Sequence, residues 1–326
     1  MSHVDTIIRL LVASDNAFVS GEQLSRELGI SRTAIWKYMK QLRQMGYELE
    51  SVSHKGYRLL HAPDCLDTPE FMLALERSGA AAVHFFEEVD STQTVARRLA
   101  EQGAPAGTLV IAERQTAGRG RFDRKWQSPY GRGIWLSLIL RPDVTVQWSS
   151  QLTLLSSVAL CMAIREQTGL PAGIKWPNDI LIGERKLSGM LLESVAEAEQ
   201  IRYVIVGIGI NVNQLESDFS ADIAHTATSL RIAADRPFQR APLIAALLVH
   251  LQQLLHEYAV AGFTPIGERW RAMSVSLNRA VKITSSRGIV EGYAETIDEY
   301  GALVLRMADG TLRKQFSGDL ELLPLA

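Results

Sequence analysis

Two short amphipathic helices joined by a glycine constrain the N-terminal part of the chain more than any other feature of the sequence. Ser20 is suited to cap the first helix, and Gly29 to end it, because glycine adopts left-handed backbone conformations without strain. Ser31 caps a second helix that extends to about Met45. The apolar stripe of this second helix consists of Ile35, Met39 and Leu42. The order predicts a helix-turn-helix.

The second helix has a basic polar face, and a predicted β-hairpin follows it. Apolar and polar residues alternate from Tyr47 to Val52, and the chain turns at Gly56 before it returns from Tyr57. In a winged helix-turn-helix the first residues of the second helix meet base edges, whereas later residues meet phosphates. The residues predicted to bind DNA are Arg32, Thr33, Trp36, Lys37, Lys40, Arg43 and Lys55.

The charge of the chain is only a weak and local sign of nucleic-acid binding. The whole protein has a net charge of -2, whereas residues 1–61 hold eight Lys or Arg and six Asp or Glu, a net +2. Phosphate contacts dominate the strength of DNA binding. We therefore expect one copy to bind DNA weakly and a dimer on two half-sites to bind more tightly.

Two changes of pattern divide the 326 residues into three segments. A proline-containing stretch at 61–69 resembles a linker, and after about residue 272 short apolar runs alternate with glycine turns. We predict a winged helix-turn-helix domain at 1–62, an α/β domain at 63–271 and a small C-terminal β domain at 272–326. The predicted fold class is α/β (α+β).

The composition excludes several classes of protein. Cys65 and Cys161 are far apart and have neither metal-ligand spacing nor the pattern of a disulfide framework, so we predict reduced thiols and no metal site in the protein. No stretch approaches the roughly 20 apolar residues of a membrane span. The first fifteen residues carry charges that a secretory signal would not. We expect a cytoplasmic protein that has no membrane partner.

A loop of alternating glycines and arginines is the strongest sign of chemistry. Gly118-Arg119-Gly120-Arg121 follows an apolar run that predicts a strand, and Arg124 and Trp126 come soon after it. Such a loop can bring backbone N–H groups and three guanidinium groups close to one anion, and a phosphate fits. The chain lacks the P-loop sequence, and Gly207-Ile-Gly209 lacks the third glycine of a dinucleotide-binding fold.

A predicted hairpin supplies a second group of polar residues. Asn178 and Asp179 interrupt a strand, Gly183 marks the turn, and the returning strand carries Lys186 towards the face that holds Asn178 and Asp179. A lysine beside an arginine loop suits a substrate that has both a carboxylate and phosphates.

Four motifs stand in the order found in biotin–protein ligases. They are Gly118-Arg-Gly-Arg121, Lys175-Trp-Pro-Asn-Asp179, Lys186-Leu-Ser-Gly189 and Gly207-Ile-Gly-Ile-Asn211. With the N-terminal winged helix, the chain resembles the bifunctional type, which also represses transcription. The resemblance covers essentially the whole length. It implies that residues 63–271 form a catalytic biotin/lipoate ligase domain of the class II synthetase-like type with a mixed sheet, and that the C-terminal domain is an SH3-like β-barrel.

The resemblance also implies a role for each matching residue. The implied biotin-binding residues are Ser91, Thr92, Gln93, Gln115, Arg119, Gly120, Arg121, Lys186 and Gly189. The implied ATP- or adenylate-binding residues are Arg119, Arg121, Arg124, Trp126, Asn178, Lys186 and Asn211. The implied catalytic residues are Lys186, Arg119, Arg121 and Asp179. The chain departs from the family at Gln93, where the family has asparagine, and at Phe122-Asp123, where it has a glycine before the next arginine.

The activity implied by the resemblance has two steps. Biotin and ATP, with Mg²⁺, give biotinyl-5′-AMP, and the biotinyl group then passes to a lysine of the biotin carboxyl carrier protein of acetyl-CoA carboxylase. No tightly bound cofactor is implied. The adenylate would favour a homodimer that binds operator DNA of biotin synthesis genes. Two alternatives remain open at this point: a lipoate–protein ligase, and a biotin-responsive transcription factor with weak or lost ligase activity.

Overall fold

The first unit of the structure confirms the predicted helix-turn-helix and its hairpin wing. The computed structural model describes residues 3–14, 16–286 and 288–324, and the chain divides into compact units at 1–77 and 78–326. The first unit contains helices α1 (His3–Ala13), α2 (Gly21–Leu28), α3 (Arg32–Gln44) and α4 (Pro69–Arg77), and strands β1 (Glu48–Val52) and β2 (Gly56–His61). Ser20 and Ser31 cap α2 and α3, because their side chains accept hydrogen bonds from the backbone N–H groups of Gln23 and Ala34.

Helix α4 belongs to the first unit by its packing. It packs against α1, and the apolar side chains of Leu66, Phe71 and Leu75 are buried. A solvated linker would leave such side chains exposed. The compact unit therefore extends through Arg77 and includes the segment 61–69, whose composition resembles a linker.

A mixed sheet of seven strands forms the base of the second unit. Its strand order is β3-β4-β5-β9-β8-β7-β6, in which β3 and β4 are parallel and all other neighbours are antiparallel. The strands are β3 (Ala82–Val89), β4 (Thr108–Gln115), β5 (Gly133–Leu140), β6 (Ala172–Lys175), β7 (Asp179–Ile182), β8 (Arg185–Glu197) and β9 (Gln200–Asn211). Helix α5 (Thr92–Glu101) makes the crossover between the parallel strands and packs on the sheet.

The remaining helices cover the sheet. They are α6 (Ser149–Thr168), α7 (Leu230–Ala234), α8 (Arg240–Ala261) and α9 (Thr264–Met273). By length and composition alone α8 is apolar enough to cross a membrane. However, α8 packs against α6 and buries Leu243, Leu247, Leu251 and Leu254, as the core helix of a folded domain does. Arg240 at its start is buried against the carboxylate of Glu113.

Five antiparallel strands follow α9. They are β10 (Arg279–Ser285), β11 (Gly288–Ile297), β12 (Leu303–Arg306), β13 (Leu312–Gln315) and β14 (Asp319–Leu322), in the order β13-β12-β11-β10-β14. The strands and turns predicted from sequence after residue 272 are therefore present. The last strand matters for the site, because it begins at Asp319.

Candidate active site

One face of the central sheet borders a cavity, because glycines occupy positions at which larger side chains would fill that space. Gly189, Gly209 and Trp135 oppose one another across β8, β9 and β5. A Cβ atom on Gly209 would overlap the indole of Trp126, and one on Gly189 would lie 3.2 Å from the Nζ of Lys186. The two glycines therefore let the indole and the lysine lie directly on the sheet.

A cavity of about 310 Å³ lies over this face. Every residue that the sequence predicts for biotin, the adenylate or catalysis lines this cavity: Ser91, Thr92, Gln93, Gln115, Arg119, Gly120, Arg121, Arg124, Trp126, Asn178, Asp179, Lys186, Gly189 and Asn211. The structure thus brings together residues from segments that are more than a hundred positions apart. Their individual roles remain predictions.

Buried hydroxyl and amide groups form one end of the cavity, which we call the floor. Thr92 begins α5, and its backbone N–H and its hydroxyl lie 2.9 and 3.1 Å from the Oε1 of Gln115 at the end of β4. The Thr92 hydroxyl also lies 2.9 Å from that of Ser137 on β5. Ser137 donates to the Oε1 of Gln93 at 3.0 Å, and Gln115 donates through Nε2 to Ser128 at 3.0 Å. The protein alone therefore orders the floor.

Gln93, where the chain departs from the family, directs its amide into the sheet. Its Nε2 faces three acceptors: the backbone oxygens of Leu191 and Ile205, at 3.4 and 3.3 Å, and the carboxylate of Glu193, at 3.2 Å. A Cβ atom on Gly207 would lie 2.5 Å from its Oε1. Although Gln93 lines the cavity, its polar atoms are bonded within the protein, so it supports the floor through Ser137.

The loop between β4 and β5, residues 118–126, also lines the cavity, and we call it the arginine loop. Its ends are joined by a hydrogen bond of 2.9 Å from the N–H of Trp126 to the oxygen of Gly118. Phe122 and Asp123 both have φ of 56°, in the left-handed region. Asp123 thus occupies the place where the family has glycine in a conformation that favours glycine, which Asp tolerates better than most residues.

The arginines of the loop are hydrogen bonded to different protein groups. Arg119 is exposed and lies 3.3 Å from the hydroxyl of Thr94 on α5. Arg121 donates to the Oδ1 of Asn178 at 3.0 Å and to the oxygen of Gly318 at 3.2 Å. The prediction that three guanidinium groups come close to one anion stays a prediction, since each group is bonded to protein acceptors in this structure.

Arg124 joins the arginine loop to the first residue of β14. Its Nη2 lies 2.7 Å from a carboxylate oxygen of Asp319, and this hydrogen bond raises the pKa of Arg124. Burial favours the neutral form of Asp319, but the hydrogen bond and charge of Arg124 outweigh it, so the pKa of Asp319 is lowered. Burial lowers the pKa of Arg121, against the opposite effects of Asp179 and Asp319. Both acids thus stabilise positive charge on the loop.

Lys186 lines the cavity beside the arginine loop, on the face that also holds Asp179, as the sequence predicts. Its Nζ is 2.8 Å from Asp179 and 5.5 Å from the centre of the Trp126 ring. The segment after β9 holds its backbone, because the N–H of Lys186 donates to Thr226 at 2.6 Å and its oxygen accepts from Thr228 at 2.9 Å. A charged group of the ligand can therefore be met by a lysine whose main chain is fixed.

The thiol of Cys161 does not line this cavity. Cys161 is buried, and burial raises the pKa of its thiol to about 11. Within residues 3–14, 16–286 and 288–324, no group of three His, Cys, Asp or Glu side chains is placed to hold a metal ion.

The first unit presents a separate polar surface. All seven residues predicted to bind DNA are exposed. Trp36 is 55% exposed, which is unusual for a large aromatic side chain, and the ammonium group of Lys40 lies 5.9 Å from its ring. Arg32 forms an ion pair of 2.8 Å with Glu22, and Arg43 donates to the oxygen of Leu49 at 3.1 Å. Arg43 thus also supports the wing.

Comparison with known proteins finds family matches for the cavity-bearing domain and for the helix-turn-helix. Residues 85–211 match the Biotin/lipoate A/B protein ligase family, residues 3–58 an HTH domain and residues 276–323 the Biotin protein ligase C terminal domain. The bifunctional ligase/repressor BirA of Bacillus subtilis is 43% identical, over 97% of this chain and 97% of that protein. The chain belongs to the family of bifunctional biotin ligase/repressors.

Two further relatives support this family assignment. The bifunctional ligase/repressor BirA of Escherichia coli is 31% identical over 96% of this chain and 95% of that protein. The biotin protein ligase from Aquifex aeolicus, solved in complex with biotin and ATP, is 31% identical and superposes with a TM-score of 0.64, covering 74% of this chain and 99% of that one. The protein is thus an enzyme, a biotin protein ligase, and also a DNA-binding repressor.

Several cavity residues of this ligase/repressor were not predicted from the sequence. Ser137 and Leu191 come from sheet strands, and Phe219, Ile223 and Thr226 come from the segment after β9. Ser137 could have been recognised from the sequence, because it is a single polar residue within the apolar run of β5. The residues after β9 carried none, since neither a motif nor a periodic pattern marks that segment.

Proposed function

We propose that the cavity activates biotin with ATP and that the protein then biotinylates a lysine of the biotin carboxyl carrier protein of acetyl-CoA carboxylase. The observation that carries this proposal is that a neutral hydrogen-bonding floor, a cationic loop and Lys186 line one cavity. A ligand that has a polar ring at one end and a carboxylate at the other matches this combination. The floor would hold the ring, and Lys186 would hold the carboxylate.

The reaction has two steps, and the first requires electrostatic stabilisation. An oxygen of the biotin carboxylate attacks the α-phosphorus of ATP, and the bond from this phosphorus to the leaving pyrophosphate breaks. Negative charge grows on the α-phosphate, where Lys186, Arg119 and Arg121 would stabilise it. ATP brings Mg²⁺, which neutralises its phosphates. The ε-amine of the acceptor lysine then attacks the acyl carbon, AMP leaves, and the amine loses a proton.

Asp179 links the two steps. In the structure its carboxylate is bonded to the ammonium group of Lys186 at 2.8 Å. When Lys186 turns to the ligand, this carboxylate becomes available as a hydrogen-bond acceptor for the incoming lysine. Asp179 would therefore orient the second substrate after the first step.

Lipoate is the nearest alternative substrate, and the floor favours biotin. The floor offers hydroxyl and amide groups to a ring, and the cyclic urea of biotin has N–H and C=O groups that match them, whereas the dithiolane ring of lipoate has neither. Exchange of labelled pyrophosphate into ATP is expected with biotin and not with lipoate. Exchange with lipoate alone would contradict the assignment, and exchange with neither would favour a biotin-responsive transcription factor without ligase activity.

We also propose that the adenylate acts as co-repressor. The exposed face of α3 would meet the major groove, and a homodimer would place two such helices on an inverted-repeat operator of biotin synthesis genes. If the adenylate tightens self-association, the dimer must bind the adenylate more tightly by the same factor. Operator DNA and the carrier protein both place this function in the cytoplasm.

Sedimentation and footprinting test the co-repressor proposal. Biotin with ATP should shift the protein from monomer to dimer and should extend a footprint over both half-sites. Variants of the exposed face, such as Trp36→Ala, should lose the footprint and keep pyrophosphate exchange. An oligomeric state and a footprint that are both indifferent to biotin and ATP would contradict the proposal.

A further inference from the structure

The fold fixes the rotation of α3 about its own axis. Its apolar side chains Ile35, Met39 and Leu42 are at most 1% exposed and lie in the core of the first unit. The hydroxyl of Ser31 accepts a hydrogen bond from the N–H of Ala34 and so fixes the start of the helix. Because an α-helix has 3.6 residues per turn, the residues of α3 that face solvent are determined as well.

Trp36 is an aromatic residue on the solvent side of α3. It is 55% exposed, although indole side chains are usually largely buried. Positions four residues apart lie on the same side of a helix, so Arg32 and Lys40 flank Trp36 by one turn on either side. The ammonium group of Lys40 is 5.9 Å from the centre of the indole ring, and Arg32 is held towards α2 by an ion pair of 2.8 Å with Glu22. The ring is therefore accessible and has a cation beside it.

The major groove of DNA offers a surface that matches such a ring. Phosphates line its edges, and the bases present hydrogen-bonding groups together with one apolar group, the 5-methyl group of thymine. In a winged helix-turn-helix the N-terminal part of the second helix lies against these bases, and Trp36 is in the second turn of α3. An indole has a large apolar surface and one N–H donor, whereas guanine presents two acceptors that match the paired donors of arginine. The chemistry of Trp36 therefore fits thymine better than guanine.

We propose that Trp36 is a specificity-determining residue, whose indole packs against the 5-methyl group of a thymine while Lys40 contacts a phosphate. This inference rests on the proposed function, in which α3 enters the major groove of an operator. The preference arises because cytosine lacks the methyl group and the purines present polar edges. An apolar ring against a polar edge would leave a hydrogen-bonding group of the base without a partner, which is unfavourable.

Replacement of thymine by uracil removes this methyl group and leaves the base pair intact. Operator DNA is first selected from random sequences with the full chain, biotin and Mg·ATP, and each thymine of the selected site is then replaced singly by uracil. Fluorescence anisotropy gives the affinity for each duplex. The wild type should lose about fourfold in affinity at one thymine per half-site, as expected for the burial of one methyl group. Thymines outside the half-sites serve as controls and should show no loss.

Three variants test whether Trp36 makes this contact. Trp36→Ala should bind the thymine operator about tenfold or more weakly than the wild type, and the uracil operator equally weakly, because the contact with the methyl group is already absent. Lys40→Ala is the matched control, since loss of a phosphate contact should weaken binding to both operators by the same factor, reduce the salt dependence and keep the uracil effect. Trp36→Phe keeps an aromatic ring without the N–H and should keep the uracil effect.

A uracil effect of the same size in Trp36→Ala and in the wild type would overturn the inference, and so would a wild type that binds every uracil operator as tightly as the thymine operator. If Trp36→Ala binds no DNA, Trp36→Phe decides the question. A phenylalanine variant that binds DNA without the uracil effect would show that the indole N–H is what the operator requires, and this result would also overturn the inference. Failure of the wild type to select any DNA with biotin and ATP would instead contradict the proposed function.

Discussion

The two ends of the cavity are built differently. At the floor, Thr92, Gln93 and Ser137 are buried on regular elements, and they are hydrogen bonded to one another or to Gln115. In the arginine loop, Arg124 is largely exposed, and consecutive residues adopt left-handed conformations. The floor is thus preorganised, whereas the loop holds its charges on protein partners that a ligand must replace. We therefore expect that the floor binds the ring before the charges of the loop are rearranged.

Lys186 lines the same cavity as these two regions, and its removal should have the largest effect. Lys186→Ala should reduce adenylate formation by roughly 10²–10³-fold, because one preorganised charge at the α-phosphate is lost. Biotin binding to the floor should be much less affected. Pyrophosphate exchange and calorimetry measure the two effects. Lys282→Ala, on β10 and paired with Glu321, serves as a control with normal turnover. Near-normal turnover of folded Lys186→Ala would refute the catalytic role.

Substitution of two glycines on β9 tests the floor and the arginine loop separately. A Cβ atom on Gly207 would overlap the amide of Gln93, whereas one on Gly209 would overlap the indole of Trp126. Gly207→Ala should therefore weaken biotin binding, and Gly209→Ala should raise KM for ATP, each by about tenfold, as expected for loss of one or two buried contacts. Measurement of both constants for both variants tests this. If the two variants changed both constants equally, the floor and the loop would not be independent.

A substitution that strains the backbone of the arginine loop should have a smaller effect, and this effect is on the stability of the fold. Asp123 has φ of 56°, which a β-branched residue adopts only with strain. Asp123→Val should lower the free energy of unfolding by about 1–3 kcal/mol, whereas Asp123→Gly should leave it nearly unchanged. Denaturant unfolding measures this difference. Equal stability of the valine and glycine variants would show that the loop does not hold the left-handed conformation in solution.

The contact between Arg124 and Asp319 should have the smallest effect, since both side chains are partly exposed. The pKa of Asp319 is lowered, so its contribution is present above the ordinary carboxyl pKa of 3.8 and is lost as the pH falls through the lower value of the folded state. Asp319→Asn should make the loop more accessible to trypsin at neutral pH, with little loss of turnover. Unchanged cleavage would show that this contact does not hold the loop.

The sequence predicted the helix-turn-helix and the hairpin of Lys186 well, because both depend on local patterns. Ser31 was recognised as a helix cap, Gly183 as a turn and Lys186 as a neighbour of Asp179, and the structure confirms each. It did not predict that Arg124 pairs with Asp319, since the partner lies 195 positions away. It also did not predict that α4 packs on α1, because a short apolar run beside prolines resembles a linker.

The central claim is that the cavity with Lys186 makes an activated biotin that is passed to a protein lysine. Mass spectrometry of the carrier domain of acetyl-CoA carboxylase, incubated with the full chain, biotin and Mg·ATP, tests it most directly. The account predicts the mass gain of one biotinyl group on one lysine, which requires all three components and is lost in Lys186→Ala. No gain with the wild type, or an undiminished gain with folded Lys186→Ala, would contradict it.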